Sequence, residues 1–224
     1  MPTQRLELTI RPDDPSSTFA AVVAGDAGPG LVVCHEWWGL NDEIGAQCER
    51  FAAEGFVAMA PDLYGQPPTT DEARAMELAS GLVTEDAMER VAASVRALSA
   101  RTGGRKVGVT GFCLGGAMSF AAAASVPGIS AAVPFYGNAR SDYMVAKRMR
   151  CPIQAHFAED DPYARAEPAV NLARDVRTAG GRMDLFFYEA GHAFMRKSDP
   201  SAYHEPSATK AWARAIEFLR HELR

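Results

Sequence analysis

Six short apolar runs, most of them parted from the next by a stretch with helical spacing, constrain this chain more than any other feature. They are Leu31–Cys34, Phe56–Ala60, Lys106–Thr110, Ile129–Phe135, Pro152–Phe157 and Met183–Tyr188. Strands that are apolar on both faces are strands covered on both sides, as in a parallel sheet between two layers of helices. The helical stretches lie where such a sheet needs them. Asn41 or Asp42 can cap a helix in which Ile44, Cys48 and Phe51 recur at i, i+4 and i+7, and Gly55 stops it. Asp71–Ser80, Glu85–Ala100, Arg165–Ala179 and Ser207–Leu223 also read as helices, and Leu114–Ser125 is so uniformly small and apolar that it should be a buried one. The alternation predicts an α/β fold with a mostly parallel sheet.

Two regions depart from the rhythm. Leu6–Ile10 and Thr18–Val23 alternate apolar and polar residues, with turn chemistry at Asp13–Ser17, and read as an antiparallel hairpin at the sheet edge. Tyr64–Thr84 holds Pro67-Pro68 and the helix Asp71–Ser80, which is followed by the helix Glu85–Ala100 without a strand between them. It is expected to form a small cap (64–84) over the C-terminal edge of the sheet, where ligands bind in such folds. The whole chain, 1–224, is expected to be a single domain.

Charge and cysteine usage remove several classes of function. With 23 basic and 28 acidic residues the formal net charge is −5, so neither nucleic acid nor an anionic membrane is expected as a partner. No apolar run approaches the ~20 residues of a membrane span. Residues 1–7 lack the basic start and apolar stretch of a secretory signal, which points to a cytoplasmic protein with reduced thiols. The cysteines, at 34, 48, 113 and 151, form no C-x-x-C pair, and no two His or Cys have metal-ligand spacing. Neither metal nor cofactor is expected. Most of the four thiols should be small core residues.

Cys113 should be the exception. Gly111-Phe112-Cys113-Leu114-Gly115-Gly116 follows a buried strand and opens a helix, the G-x-S-x-G nucleophile-elbow pattern with Cys in place of Ser. The glycines are required because the turn leaves no room for side chains beside the nucleophile. A helix N-terminus offers unpaired N–H groups that favour a thiolate and can hold an oxyanion. Such a nucleophile is served by an acid and then a histidine further along the chain. Asp160 or Asp161, after the strand Pro152–Phe157, supplies the acid, and His192, after the strand Met183–Tyr188, supplies the base. Of the other histidines, His156 in mid-strand reads as a satisfied core residue, His35 as a neighbour of the site beside Glu36, and His204 and His221 as a polar-loop and a helix residue.

These residues resemble the dienelactone hydrolases (carboxymethylenebutenolidases) of the α/β-hydrolase superfamily. The likeness rests on His35-Glu36-Trp37-Trp38-Gly39-Leu40-Asn41, Ala60-Pro61-Asp62-Leu63-Tyr64-Gly65, the elbow at 111–116, Tyr136-Gly137 and Gly191-His192-Ala193-Phe194. It implies an α/β-hydrolase fold with an eight-stranded sheet and a Cys-His-Asp triad. On the family's pattern Cys113 is the nucleophile, His192 the base and Asp161 the acid. Glu36 matches a glutamate that keeps the resting thiol neutral and takes part in its deprotonation. The oxyanion donors would be the backbone N–H groups of Leu114 and Trp37. Arg196, Arg74 and Tyr136 would bind an anionic lactone, although the family has a Tyr four residues after the arginine matched by Arg74, where this chain has Leu78.

The expected activity is therefore hydrolysis of an enol-lactone or related carboxylate-bearing ester, a small-molecule substrate, through a thioester. A carboxylesterase or lactonase of different scope is the alternative, and a non-catalytic binding protein of the same fold is a remoter one. Nothing in the sequence requires more than a monomer.

Overall fold

The computed structural model describes residues 2–139 and 144–224. Eight strands form one sheet: β1 Gln4–Arg11, β2 Asp14–Ala24, β3 Gly30–Cys34, β4 Val57–Pro61, β5 Val107–Phe112, β6 Ile129–Phe135, β7 Ile153–Asp160 and β8 Met183–Gly191, in the order β1-β2-β4-β3-β5-β6-β7-β8. From β4 to β8 all neighbours are parallel, while β1 and β2 form an antiparallel ribbon that joins the sheet on β4. The hairpin turn is tighter than the Asp13–Ser17 stretch suggests. Arg11 pairs with Asp14, so only Pro12 and Asp13 turn the chain and residues 14–17 extend the strand.

The helices are α1 Asp42–Ala53, α2 Glu72–Ser80, α3 Thr84–Arg101, α4 Leu114–Ser125, α5 Ala166–Thr178 and α6 Glu205–Glu222. Asn41, rather than Asp42, caps α1: its side chain accepts from the Ile44 N–H at 3.2 Å. The parity of the strands places helices on both faces. Leu31 and Gly108 are cross-strand partners, and a Cβ on Gly108 would meet Leu219 and Leu223 at the end of α6. Their neighbours Gly30 and Val107 point the other way, against Leu98 of α3. On the first face α1 meets α6 through Phe51 and Trp212, whose rings lie 4.5 Å apart. Burying an aromatic side chain like Phe51 contributes roughly 1.5–3 kcal/mol. As its composition requires, α4 is buried along most of its length and packs on β5 and β6.

β7 and β8 run three residues beyond the ends of their apolar runs. Glu159, Asp160 and Glu189 lie within these extensions. Polar residues are tolerated there because β8 is the last strand of the sheet and because the pairing of β7 with β6 ends at His156, before Glu159 and Asp160. The ladder continues through Ala158 opposite Tyr188 and, past a bulge, Asp160 opposite Gly191. That register delivers residues 161 and 192 side by side at the C-terminal edge.

Candidate active site

Cys113 lies between β5 and α4 with φ 54° and ψ −114°. A non-glycine residue in the left-handed region is strained, and such residues concentrate at functional sites. Among the described residues only Tyr136 (φ 36°) and Ala193 (φ 61°) share that condition, and both adjoin Cys113's surroundings. The glycines of the elbow are there for space. A Cβ on Gly111 would sit 2.3 Å from the Gly115 carbonyl oxygen, and one on Gly115 would sit 2.1 Å from that of Cys34. The elbow therefore presses directly on the end of β3.

The other thiols are enclosed. Burial pushes Cys34 up to about 12 and Cys151 up to about 11, and raises Cys48 as well. All three are buried, whereas Cys113 is only partly so.

At the ends of β7 and β8, His192 Nδ1 meets Asp161 Oδ2 at 2.7 Å. Asp161 is buried, and its Oδ1 accepts from the N–H groups of Tyr163 (2.8 Å) and Ala164 (2.9 Å). Asp160, one residue earlier, is exposed. The structure thus brings Asp161, not Asp160, to the imidazole. Burial alone would raise the Asp161 carboxyl. The hydrogen bonds from His192 and the two N–H groups outweigh it and hold the group below the usual carboxylate range. Burial likewise works to lower His192, but the Asp161 hydrogen bond and the neighbouring Cys113 thiol prevail and lift it to about 9. The imidazole is flanked edge-on by the rings of Tyr136 and Tyr163, each 5.1 Å away.

A second group stands beside this one. Glu36, at the exit of β3, is buried and receives Arg196 through Nε at 2.9 Å and Nη2 at 2.8 Å. Tyr136 Oη donates to its other oxygen over a long 3.5 Å. Burial raises the Glu36 carboxyl, and the Arg196 guanidinium only partly offsets this. Arg196 also meets Asp199 at 3.4 Å and lies 5.6 Å from the Trp38 ring. Arg196 and Glu36 open onto a cleft of about 270 Å³ walled by Trp38, Thr69, Thr70 and Asp199. The arrangement differs from the sequence expectation in its pairing. Glu36 was expected against the thiol and Arg196 free for a ligand, but the two side chains hold each other.

Arg74 is not brought to this group. It pairs with Glu77 on the exposed face of α2 at 2.7 Å and lines a separate cleft with Leu78 and Arg90. The part of the 64–84 segment that reaches the site is the loop before α2, where the Thr69 N–H donates to the Trp38 carbonyl at 2.9 Å. His156 is a core residue with both ring nitrogens paired, to Tyr188 Oη at 2.9 Å and Gln154 at 3.1 Å. His204 pairs with Ser207, and His221 with Glu222. Leu114 is the first residue of α4, so its N–H has no helical partner. The Trp37 N–H is taken by no acceptor among the described residues. Sequence reasoning missed Asp199, Thr69, Thr70 and Tyr163. Only Asp199, one helical turn from Arg196, carried any signal.

The profile of the dienelactone hydrolase family matches residues 18–223. The chain belongs to the dienelactone hydrolase family. It is 34% identical over 207 residues to the protein usf of Aquifex pyrophilus, covering 88% of this chain and 89% of that one. It is 32% identical over 208 residues to an Aquifex aeolicus protein provisionally named a carboxymethylenebutenolidase, covering 88% and 90%. A solved dienelactone hydrolase-like promiscuous phosphotriesterase from metagenomic libraries superposes with a TM-score of 0.86 at 22% identity, over 99% of this chain and 98% of that one. A dienelactone hydrolase-family chain of this fold is an ester or lactone hydrolase of the α/β-hydrolase superfamily.

Proposed function

We propose that the chain hydrolyses a carboxylate-bearing ester of the enol-lactone type through Cys113 and a thioester acyl-enzyme. The observation that carries the reading is the pairing of His192 with buried Asp161 at 2.7 Å, at the same sheet edge as the strained elbow that presents Cys113. The thiol proton passes to His192 as sulfur adds to the carbonyl carbon. The carbonyl oxygen becomes an oxyanion, received by the N–H groups of Leu114 and Trp37. The ring C–O bond then breaks, the leaving oxygen takes the proton from His192, and the acyl group remains on sulfur. Water, deprotonated by His192, cleaves the thioester and restores the thiol.

Glu36 and Arg196 give the reading its substrate class. A substrate carboxylate can replace Glu36 on Nε and Nη2 of the guanidinium, which now converge on Glu36 Oε2. The released Glu36, raised by burial, becomes a second proton acceptor close to His192 and Tyr136. One observation favours a second reading, a hydrolase of neutral esters: Arg196 is already met by two carboxylates, Glu36 and Asp199.

Two substrates separate the readings. On dienelactone, Arg196→Ala should lower kcat/KM by on the order of tenfold to a hundredfold, the worth of a shielded ion-paired hydrogen bond. A neutral nitrophenyl ester should be barely affected, and equal losses on both would give Arg196 a structural role. Cys113→Ala should abolish turnover of both substrates, and iodoacetamide should inactivate the wild type in step with alkylation of Cys113. Near-wild-type turnover in the alanine variant would eliminate the thiol mechanism.

A further inference from the structure

His35 is fully buried at the end of β3 and carries no charge-pairing partner in its hydrogen bonds. Its Nε2 accepts the Leu63 N–H at 3.0 Å, and its Nδ1 lies 2.6 Å from the Glu36 carbonyl oxygen. These two contacts fix the tautomer. A backbone N–H needs a bare ring nitrogen, so the ring proton sits on Nδ1 and is donated to Glu36. Burial lowers His35, which keeps the ring in that neutral form.

The Glu36 carbonyl shares its peptide plane with the Trp37 N–H. In a trans peptide the two point in opposite directions. Holding the carbonyl therefore aims the N–H. The Glu36 carbonyl also accepts the Gly39 N–H at 3.2 Å, and the next two carbonyls are held as well: Tyr64 Oη donates to Trp37 O at 3.1 Å, and the Thr69 N–H donates to Trp38 O. The segment 63–69 thus anchors the carbonyls of residues 37 and 38 directly and that of Glu36 through His35. The elbow closes the other side, since Gly115 packs on the carbonyl oxygens of Cys34 and His35.

We propose that His35 is a positioning residue that builds half of the oxyanion site by aiming the Trp37 N–H. The inference rests on the reading of Trp37 as an oxyanion donor. Leu63 N–H, the imidazole, the Glu36–Trp37 peptide and the substrate oxygen form one hydrogen-bonded chain. Each link polarises the next, so the imidazole both orients the N–H and strengthens it as a donor.

Two substitutions divide the imidazole into its halves. His35→Asn presents an N–H where Nδ1–H stands and loses the acceptor for Leu63. His35→Gln reaches the Nε2 position and loses the donor to Glu36. Four measurements on the full chain decide between them: kcat and KM for a neutral nitrophenyl ester, the inhibition constant of a trifluoromethyl ketone, the rate of alkylation by iodoacetamide, and the melting temperature. The ketone forms a carbon–sulfur bond with Cys113 while its oxygen becomes an oxyanion and the thiol proton moves to His192. Alkylation displaces iodide at a saturated carbon and forms no oxyanion.

Removing an oxyanion donor outright costs on the order of 10²–10³ in kcat, and a mis-aimed donor should cost less. His35→Gln should lose about tenfold to a hundredfold in kcat with KM nearly unchanged. Its ketone inhibition should weaken in the same proportion, and its alkylation rate should stay within about twofold of wild type. His35→Asn should retain kcat within about fivefold. Equal losses in the two variants, unchanged kcat in His35→Gln, or a parallel fall of alkylation and melting temperature would overturn the proposal, as would failure of both to fold. Turnover that persists in Cys113→Ala would instead sink the nucleophile reading. An inactive Cys113→Ala alongside fully active His35 variants would sink this inference alone.

Discussion

The two halves of the site are built by different means. Cys113, His192 and Asp161 are placed by backbone: a tight turn at the elbow and a strand register that ends with Asp160 opposite Gly191. Glu36, Arg196 and Tyr136 are placed by one another, through an ion pair in which two guanidinium nitrogens share Glu36 Oε2 and a long hydroxyl contact, across 160 and 100 positions of sequence. The first half has little freedom to change partner. In the second, a guanidinium that holds one carboxylate can exchange it for another at small cost, because the geometry and charge of the pair are preserved. Under the proposed function, the difference teaches that rigidity sits where bonds would be made and broken, and exchangeability where a substrate would be recognised.

The backbone-built half should show the largest effect. Asp161→Asn should lower kcat/KM by on the order of 10³–10⁴, since an amide at that place supports the wrong imidazole tautomer. Asp160→Asn should stay within about twofold, as expected of an exposed residue outside the unit. Equal effects would mean that register does not select the acid. The same half should set the acid limb of the pH–rate profile. His192 is lifted to about 9 and must be unprotonated to take the thiol proton, so kcat/KM should rise as pH rises through about 9. Asp161 raises that value, so in Asp161→Asn the limb of the residual activity should move to lower pH.

The exchangeable half should show a smaller effect that splits by assay. Glu36→Gln removes a negative charge beside Tyr136 and His192, the groups that also face Cys113, so iodoacetamide should inactivate several-fold faster, while lactone turnover should drop about tenfold for want of the second proton acceptor. Both rates moving in one direction would rule out an exchange role. Least is expected of Arg74. It belongs to neither half, and an exposed ion pair such as Arg74–Glu77 contributes only ~0.3–0.5 kcal/mol. Arg74→Ala should leave lactone kcat/KM within about twofold. A tenfold loss would move the cap region into the site.

Much of this was legible in residues 1–224. The buried strands announced themselves as apolar runs because both faces are covered, and the elbow because its glycines answer to contacts a few residues away, such as Gly111 against Gly115. What stayed hidden was polar or distant. The extensions of β7 and β8 were masked by charged residues tolerated beyond the pairing of β7 with β6, although those extensions deliver Asp161 and His192. Asp160 and Asp161 are equivalent in composition, and only the register decides which is buried beside the imidazole.

The sequence by itself determined the order of strands and helices along the chain, the tight turn at Cys113 and the edge of the sheet at which Asp161 and His192 gather. Each of these follows from local sterics and from periodicities of a few residues. Tertiary structure alone decided that Glu36 holds Arg196, that Arg74 faces away, and that His35 joins Leu63 to the Glu36–Trp37 peptide. A side chain's choice among several charged or hydrogen-bonding partners depends on distances set by chain segments far apart in sequence, and no local pattern records those distances.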